Sequence, residues 1–199
     1  MPASRTVPNV VKKRKSWSDR ISGFKVSDLV FLDESSCNTD MTRRYAYSLG
    51  GSRAVDSVPF SKSKNTTILS SIQMDGTLHY TTFSGGTTAE AFKAYLENEL
   101  LPYLSSDSIL IMDNNMRSHH VKAVKALLDH SRVQYVYLPP YSPDLNPIEK
   151  LLSKIKALLR KFKARTVGIL PHAIQCAFQA VTQTDCVGWF RSCGYMLYF

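Results

Sequence analysis

The sequence has few cysteines, and their spacing matches no metal-binding motif. Cys176, Cys186 and Cys193 are separated by ten and seven residues, and Cys37 lies far from all three. Zinc ligands usually come in closer pairs, and four cysteines in 199 residues do not make a disulfide framework. We therefore expect buried thiols rather than metal ligands or cross-links.

The sequence also lacks long apolar runs. None approaches the roughly 18 residues that a membrane-spanning helix needs, and the polar, basic N-terminus has no signal-peptide core. We therefore expect a soluble, cytoplasmic protein with no membrane partner. A length of 199 residues, 44% of them hydrophobic, suits one well-buried domain.

Positive charge is concentrated in two segments. Residues 1–25 carry seven Lys or Arg against one acid, residues 150–165 carry seven against none, and residues 26–149 are acidic overall. A net charge of +9 arranged in this way predicts a polyanionic partner such as DNA, because neutralised phosphates release counterions. A solubilising surface is the alternative that charge alone leaves open.

The first basic segment shows no apolar period. It contains "VKKRK", in which the cations are Lys12, Lys13, Arg14 and Lys15. This composition predicts a flexible basic arm over residues 1–25 that contacts DNA, followed by one folded domain over residues 26–199 with a C-terminal helix.

Short apolar runs predict the strands of an α/β sheet. The runs are "LVFL" (29–32), "ILIM" (109–112) and "VQYVYL" (133–138), and an Asp-Gly turn between "NTTILSSIQ" and "TLHYTTF" predicts a hairpin. Helical patterns cover "TTAEAFKAYLENELLPYL", with Thr87 and Glu90 at capping-box spacing, then residues 118–130, a long segment from Pro147, and "HAIQCAFQAV". This order predicts a ribonuclease H-like fold: a mixed five-stranded sheet, with three early strands and then two alternating with helices, flanked by helices.

Two aspartates directly follow predicted strands, Asp33 after "LVFL" and Asp113 after "ILIM". Open α/β sheets bind ligands at the carboxyl ends of their strands. If the two strands are neighbours, about 4.8 Å apart, both carboxylates could reach cations separated by about 3.5 to 4 Å. A turn-forming role is the alternative for either residue alone.

A third carboxylate, Glu149, follows the proline-rich segment, which we define as residues 137–147. The prolines stiffen this connection. Asn146 is a favourable N-cap, Pro147 suits the first helical position, and Glu149 at the third predicts a capping box, in which the cap contributes about 1 kcal/mol. The same placement fixes a carboxylate ready for a cation, so the two roles are compatible, and an all-oxygen ligand set favours Mg²⁺ or Mn²⁺.

Several cations are candidate DNA contacts. On a helical wheel, Lys156, Arg160 and Lys163 fall within about 40° of Glu149, as a row of phosphate contacts would. Weaker candidates are Arg43 and Arg44, for which a solvated turn is the alternative, and His119, which is close to Asp113 in the sequence and could instead serve only to start a helix.

Taken together, "FLDES", "MTRRYAYSLGGSR", "ILIMDNNMRSHHVKAV", "YLPPYSPDLNPIEKLLSKIKALLRK" and the ending "AFQAVTQTDCVGWFRSCGY" resemble the catalytic part of bacterial insertion-sequence transposases of the mariner-like superfamily. The resemblance covers about residues 26–196. It implies a catalytic Asp-Asp-Glu triad at Asp33, Asp113 and Glu149 that holds two Mg²⁺ or Mn²⁺ ions. The implied reaction cuts transposon ends by hydrolysis and joins the freed 3′-OH to target DNA.

The resemblance also implies partners. These are the inverted-repeat ends of an element, target DNA and a second copy of the chain, met at the bacterial nucleoid. Residues 1–25 contain no helix-turn-helix, so we expect a partner chain to supply one, as in a two-frame or truncated element. The sequence "DNNMRSHH" carries one asparagine more than expected after Asp113. Two alternatives stay open: an inactive derivative that binds DNA or a partner transposase, and a nuclease without strand transfer.

Overall fold

The computed structural model describes residues 8–43, 45–57, 65–113 and 121–195. Its strands are β1 (Leu29–Cys37), β2 (Thr66–Ile72), β3 (Leu78–Ser84), β4 (Ile109–Met112) and β5 (Gln134–Tyr137). Its α-helices are α1 (Pro8–Ile21), α2 (Ala89–Tyr95), α3 (Lys122–Ser131), α4 (Pro147–Phe162), α5 (Leu170–Gln179) and α6 (Gln183–Ser192). A π-helical turn (Leu96–Leu100) extends α2, and short 3-10 turns cover Val26–Asp28, Leu101–Tyr103 and Pro143–Leu145.

The five strands form one mixed sheet in the order β3-β2-β1-β4-β5. The first three strands are antiparallel neighbours, whereas β4 runs parallel to both β1 and β5. The predicted five-stranded mixed sheet is therefore confirmed. At the tip of the β2–β3 hairpin, Gly76 has φ +97°, a conformation that glycine adopts without strain, as the predicted Asp-Gly turn requires.

Apolar side chains of the central strands pack on both faces of the sheet. On β1, Leu29 and Phe31 face a core shared with α4, α5 and α6, whereas Val30 and Leu32 face a second core shared with α2 and α3. All four are at most 1% exposed. A strand covered on both sides needs apolar residues at successive positions, which explains the continuous run "LVFL".

The first helix corrects a prediction. The segment expected to be a flexible arm forms α1 from Pro8 onward. Its Trp17 is 5% exposed and belongs to the main core, where Ile21 packs beside it, and Val10 is 8% exposed. These three residues lie seven and four positions apart, which places them along one side of a helix. The stripe is narrow and surrounded by cations, so the basic composition hid it.

Two further helix starts differ from the prediction. The N-cap of α2 is Thr88 rather than Thr87, and its hydroxyl accepts a hydrogen bond from the Ala91 backbone at 3.2 Å. Helix α3 was predicted over residues 118–130, but its described part begins at Lys122, where it buries Val124 and Leu128 and leaves the N-cap Val121 39% exposed. Residues 114–120 lie outside the described part of the chain.

The cysteines and the helices bear on two further expectations. Cys37, Cys186 and Cys193 are buried free thiols, and Cys176 is a half-buried one. Within the described residues, no helix combines the length and apolar character that crossing a membrane requires.

Candidate active site

The parallel pair β1–β4 brings Asp33 and Asp113 to one edge of the sheet. Leu32 pairs with Met112, so each aspartate follows the last paired residue of its strand. The sequence predicted that Asp33 follows the end of its strand, and for β1 this is wrong. Asp33 pairs with Ser70 of β2, because β1 continues along β2 to Cys37 after β4 has stopped. The site therefore lies where the parallel half of the sheet ends.

Strand alternation directs both aspartates to the same face. Phe31 on β1 and Ile111 on β4 belong to the core beneath α4, and each aspartate stands two positions further along its strand. Side chains two residues apart share a face, so Asp33 and Asp113 both turn towards α4. The same alternation turns Glu34 to the other face, and burial is the main cause of its raised pKa.

Helix α4 supplies Glu149 from its first turn. Ile148, Leu151, Leu152, Ile155 and Leu159 are buried and hold the helix against the sheet. Glu149 itself is exposed and shares a cavity of about 250 Å³ with Asp113. Residues of the proline-rich segment form most of the remaining wall, so the stiff connection shapes the cavity and delivers the helix start to it.

Asp33 carries the strongest electrostatic perturbation of the site. Burial is the largest cause, and the carboxylates of Glu149, Asp113 and Glu34 add to it, raising the pKa of Asp33 to about 7. The Glu34 backbone N–H donates a hydrogen bond to Asp33 Oδ1 at 2.8 Å, which opposes the shift without cancelling it. Asp113 and Glu149 are thus close enough to Asp33 to disfavour its charged form.

The donor chemistry of this site fits a divalent cation. Carboxylate oxygens are ligands that Mg²⁺ and Mn²⁺ prefer, and mutual repulsion is what a bound cation relieves. As they stand, however, the described residues contain no group of three His, Cys, Asp or Glu side chains arranged to hold an ion. Cation binding at Asp33, Asp113 and Glu149 would therefore require these side chains to approach one another.

The capping box predicted at α4 is wrong. Asn146 occupies the N-cap position, but its side chain accepts no hydrogen bond from the helix, and only backbone atoms join Asn146 to Glu149. Instead, Asn146 Nδ2 donates to Asp33 Oδ2 at 3.0 Å. A capping box does occur at α6, where Thr182 and Asp185 exchange hydrogen bonds. Sequence reasoning missed it, although the pair has the usual spacing of three residues.

Helix α1 anchors the proline-rich segment. The Arg14 guanidinium donates to Ser142 Oγ at 2.6 Å and to Asp144 Oδ2 at 2.5 Å. Trp17 Nε1 donates to the Tyr195 hydroxyl at 3.2 Å. That hydroxyl donates in turn to the Leu145 carbonyl at 2.7 Å. The segment before Glu149 is therefore held by both ends of the described chain, an arrangement that local sequence patterns do not indicate.

The predicted DNA-contact residues differ in their exposure and in their contacts. Lys12, Lys13, Lys15 and Arg43 are exposed, and Lys156 and Arg160 are partly exposed on α4. Lys163 follows the end of α4, and its Nζ donates to Asp56 at 2.8 Å. Arg14 is engaged as described above, whereas Arg44 and His119 lie outside the described residues.

Comparisons with known proteins give the chain a family and related structures. The profile of the DDE superfamily endonuclease family matches residues 28–168. The structure of a pre-cleavage Mos1 transpososome superposes with a TM-score of 0.75 at 19% identity, over 96% of this chain and 62% of that one. For the Mos1 transposase paired-end complex with the left transposon end, these values are 0.77, 18%, 93% and 59%. No curated protein matches the chain.

A third structure, the catalytic domain of Mos1 mariner transposase, superposes with a TM-score of 0.68 at 17% identity, over 96% of this chain and 89% of that one. Such identities show a shared fold. The present chain spans about three fifths of the longer Mos1 chains and most of the catalytic-domain one. The family profile covers more than half of the chain, including Asp33, Asp113 and the start of α4. This protein therefore belongs to the DDE superfamily endonuclease family and has the ribonuclease H-like fold of its transposase catalytic domains.

Proposed function

We propose that this chain is the catalytic domain of a bacterial insertion-sequence transposase of the Asp-Asp-Glu type. The observation that carries the proposal is the convergence of Asp33 and Asp113, from neighbouring parallel strands, with Glu149 from the start of α4. The carboxylates of Asp113 and Glu149 both raise the pKa of Asp33, which supports a shared site. Family membership supports DNA phosphodiesters as the substrate.

Asp33, Asp113 and Glu149 would hold two divalent cations, Mg²⁺ or Mn²⁺. Structures of Mos1 mariner paired-end complexes have been solved with each of these metals, which supports the choice. When bound, such ions activate the attacking oxygen and stabilise the leaving oxygen of a phosphoryl transfer. The contribution of the chain is to bind and orient: the sheet holds the two aspartates, and the anchored proline-rich segment holds Glu149 opposite them.

The reaction proceeds in two steps of the same kind. Water first attacks a phosphodiester at the transposon end, and the broken P–O bond leaves a free 3′-OH. That 3′-OH then attacks a phosphodiester of target DNA, forms a new P–O bond and releases a target 3′-OH. Neither step needs a covalent bond between protein and DNA, so no Ser or Tyr nucleophile is required.

The proposed partners are transposon ends, target DNA and a second copy of the chain. The related Mos1 structures are described as a transpososome, a paired-end complex and a strand transfer complex, which supports such an assembly. The exposed cations of α1, with Arg43 and the cations of α4, would contact phosphates without reading bases. A helix-turn-helix supplied by a partner chain would recognise the ends, and the protein would work at the nucleoid.

The decisive experiment tests the triad directly. Purified chain is incubated with Mg²⁺ and linear DNA that ends in the inverted repeats of the element, and cleavage and joining are followed on gels. We expect Asp113→Asn and Glu149→Gln to abolish both reactions while circular dichroism shows a retained fold. Glu97→Gln, a surface carboxylate paired with Lys93, is the control that should react like the parent. Cleavage that survives both triad substitutions would refute the assignment.

One observation favours a different function. Because no three ligands in the described residues stand ready for an ion, an inactive derivative that binds DNA or a partner transposase is the second candidate. The same assay distinguishes it, since the parent protein would then bind the DNA and cut nothing. Cleavage without joining would instead indicate a nuclease that lacks strand transfer.

A further inference from the structure

Asn146 stands at the N-cap of α4 but does not cap it. The N-caps of α2 and α6, Thr88 and Thr182, both accept hydrogen bonds from their helices through the side chain. The Asn146 side chain makes no such hydrogen bond, although a side-chain cap typically stabilises a helix by about 1 kcal/mol. Its side chain is 3% exposed, so a polar group has been buried for a purpose other than helix capping.

The buried amide is oriented by Asp33. An ionised carboxylate, the form that binds a cation, can only accept hydrogen bonds, so Asn146 turns its Nδ2 towards Asp33, with Nδ2 and Asp33 Oδ2 3.0 Å apart. This orientation leaves Oδ1 of Asn146 buried, with no hydrogen-bond partner among the described residues. A buried amide oxygen without a partner costs free energy. Its natural partners are a cation or a hydrogen-bond donor such as water.

Asn146 also connects Asp33 to the cavity. It lines the same 250 Å³ cavity as Asp113 and Glu149, whereas Asp33 is not among the lining residues. Asn146 and Asp33 are 113 positions apart in the sequence, so their hydrogen bond ties the start of α4 to the sheet. Asn146 thus contacts a predicted ligand and also forms part of the wall of the cavity that contains Asp113 and Glu149.

We infer that Asn146 is a positioning residue of the metal site, which fixes the Asp33 carboxylate through Nδ2 and offers Oδ1 to the cation or its hydration shell. Asparagine carbonyl oxygens are common ligands of hard cations. The inference rests on the proposed function, because it assumes that the three carboxylates hold a metal. It adds a fourth side chain to that site.

A structural role alone would have different consequences. If Asn146 served only to start α4, a serine or threonine at this position would serve as well, because both are good N-caps. If it positions Asp33, neither residue is adequate, since their side chains are too short to reach that carboxylate and carry no amide oxygen. The two roles therefore differ in metal binding and not in helix stability.

The test measures Mn²⁺ affinity of the full chain by electron paramagnetic resonance, without DNA, and then cleavage kinetics. In Asn146→Ser we expect an affinity about 10- to 100-fold weaker than in the parent, as for other residues that orient metal ligands. We expect kcat to fall while the KM for DNA stays unchanged. Asn146→Thr repeats the measurement with a second short hydroxyl cap if the serine variant does not fold. Thr88→Ala, which removes the cap of α2, is the control that should lose stability and keep Mn²⁺ affinity.

Parent-like Mn²⁺ affinity and kcat in a folded hydroxyl variant would overturn the inference and leave the proposed function intact. A parent protein that binds no Mn²⁺, or binds it equally well after Asp33→Asn, would overturn the proposed function and this inference with it. The Asp33→Asn measurement therefore separates the two failures.

Discussion

At Asp33, the surroundings decide the chemistry of a single residue. Burial and three neighbouring carboxylates raise the pKa, and one backbone hydrogen bond is too weak to restore its usual value. Asp185 shows the opposite case. The Lys154 ammonium and the Thr182 backbone N–H and hydroxyl hold the pKa of Asp185 at about 2. Both residues are aspartates, and only their spatial neighbours make the pKa of one high and that of the other low.

Asp185 gives a prediction for stability against pH. Its pKa is lowered in the folded state, so its contribution is fully present above the ordinary value near 4 and is lost as pH falls through about 2. Lys154 Nζ lies 2.6 Å from Asp185 Oδ2, and the pair joins α4 to α6 at a partly exposed position. We expect Asp185→Asn to cost up to about 1 kcal/mol of unfolding free energy at pH 7.

The measurement is thermal unfolding from pH 7 to pH 2. The gap between parent and Asp185→Asn should shrink as pH approaches 2, because the parent carboxylate then becomes protonated as well. Asp107→Asn, which changes an exposed turn carboxylate, is the control and should follow the parent. A gap that persists unchanged at pH 2 would contradict the ionic explanation.

At the scale of elements, α1 and the proline-rich segment form one unit. Arg14 contacts Ser142 and Asp144, while Trp17 reaches Leu145 through the Tyr195 hydroxyl. The proline-rich segment leads directly into α4, so its anchors determine where Glu149 is presented. Helix α1, which the sequence predicted to be a flexible arm, thus holds the segment that leads to Glu149.

We expect Arg14→Ala to lower both stability and catalysis. The side chain is partly buried and its three hydrogen bonds to Ser142 and Asp144 involve a charged donor, so about 1 to 3 kcal/mol of unfolding free energy should be lost. The less firmly held Glu149 should reduce kcat at saturating DNA. Lys15→Ala is the matched control, since it removes one positive charge from an exposed position of the same helix.

Thermal unfolding and cleavage kinetics distinguish the two variants. Lys15→Ala should weaken DNA binding at most and leave the melting temperature and kcat unchanged. If Arg14→Ala behaves in the same way, Arg14 acts only through its charge, and the anchoring role of α1 is wrong.

For the whole molecule, the distribution of charge matters more than its sum. The net charge of +9 comes from two basic segments around an acidic middle. In the structure these segments are α1 and the region of α4, the two elements that meet at the proline-rich segment. Both basic segments therefore adjoin the proline-rich segment, which lines the cavity that contains Asp113 and Glu149.

This arrangement predicts DNA affinity that falls steeply with salt. Removing one cation that neutralises a phosphate should reduce the slope of log K against log salt by about 0.9. We expect the double substitution Lys12→Ala and Lys13→Ala to lower that slope by up to about 2 and to weaken binding alike on unrelated DNA sequences. Fluorescence anisotropy at several salt concentrations measures it. Lys93→Ala on α2, which is paired with Glu97, should keep the parent slope. A parent-like slope in the double variant would exclude Lys12 and Lys13 from the interface.

The sequence by itself determined the five strands and the four helices from α2 to α5. Apolar runs and turn residues predicted the five strands, and the helical period predicted α4 and its start at Pro147. These features are local, because each depends on residues within a few positions of one another. Whether the strands before Asp33 and Asp113 are neighbours was left open by the sequence, and the sheet order shows that they are.

Only the tertiary structure decided how the side chains are used. The Asn146 side chain donates a hydrogen bond to Asp33 rather than capping its own helix, Trp17 of the basic segment donates to Tyr195, and Arg14 donates to Ser142 of the proline-rich segment. Each of these contacts joins residues more than 100 positions apart. The choice among the partners available to a polar side chain depends on packing between distant segments, and no local pattern records it.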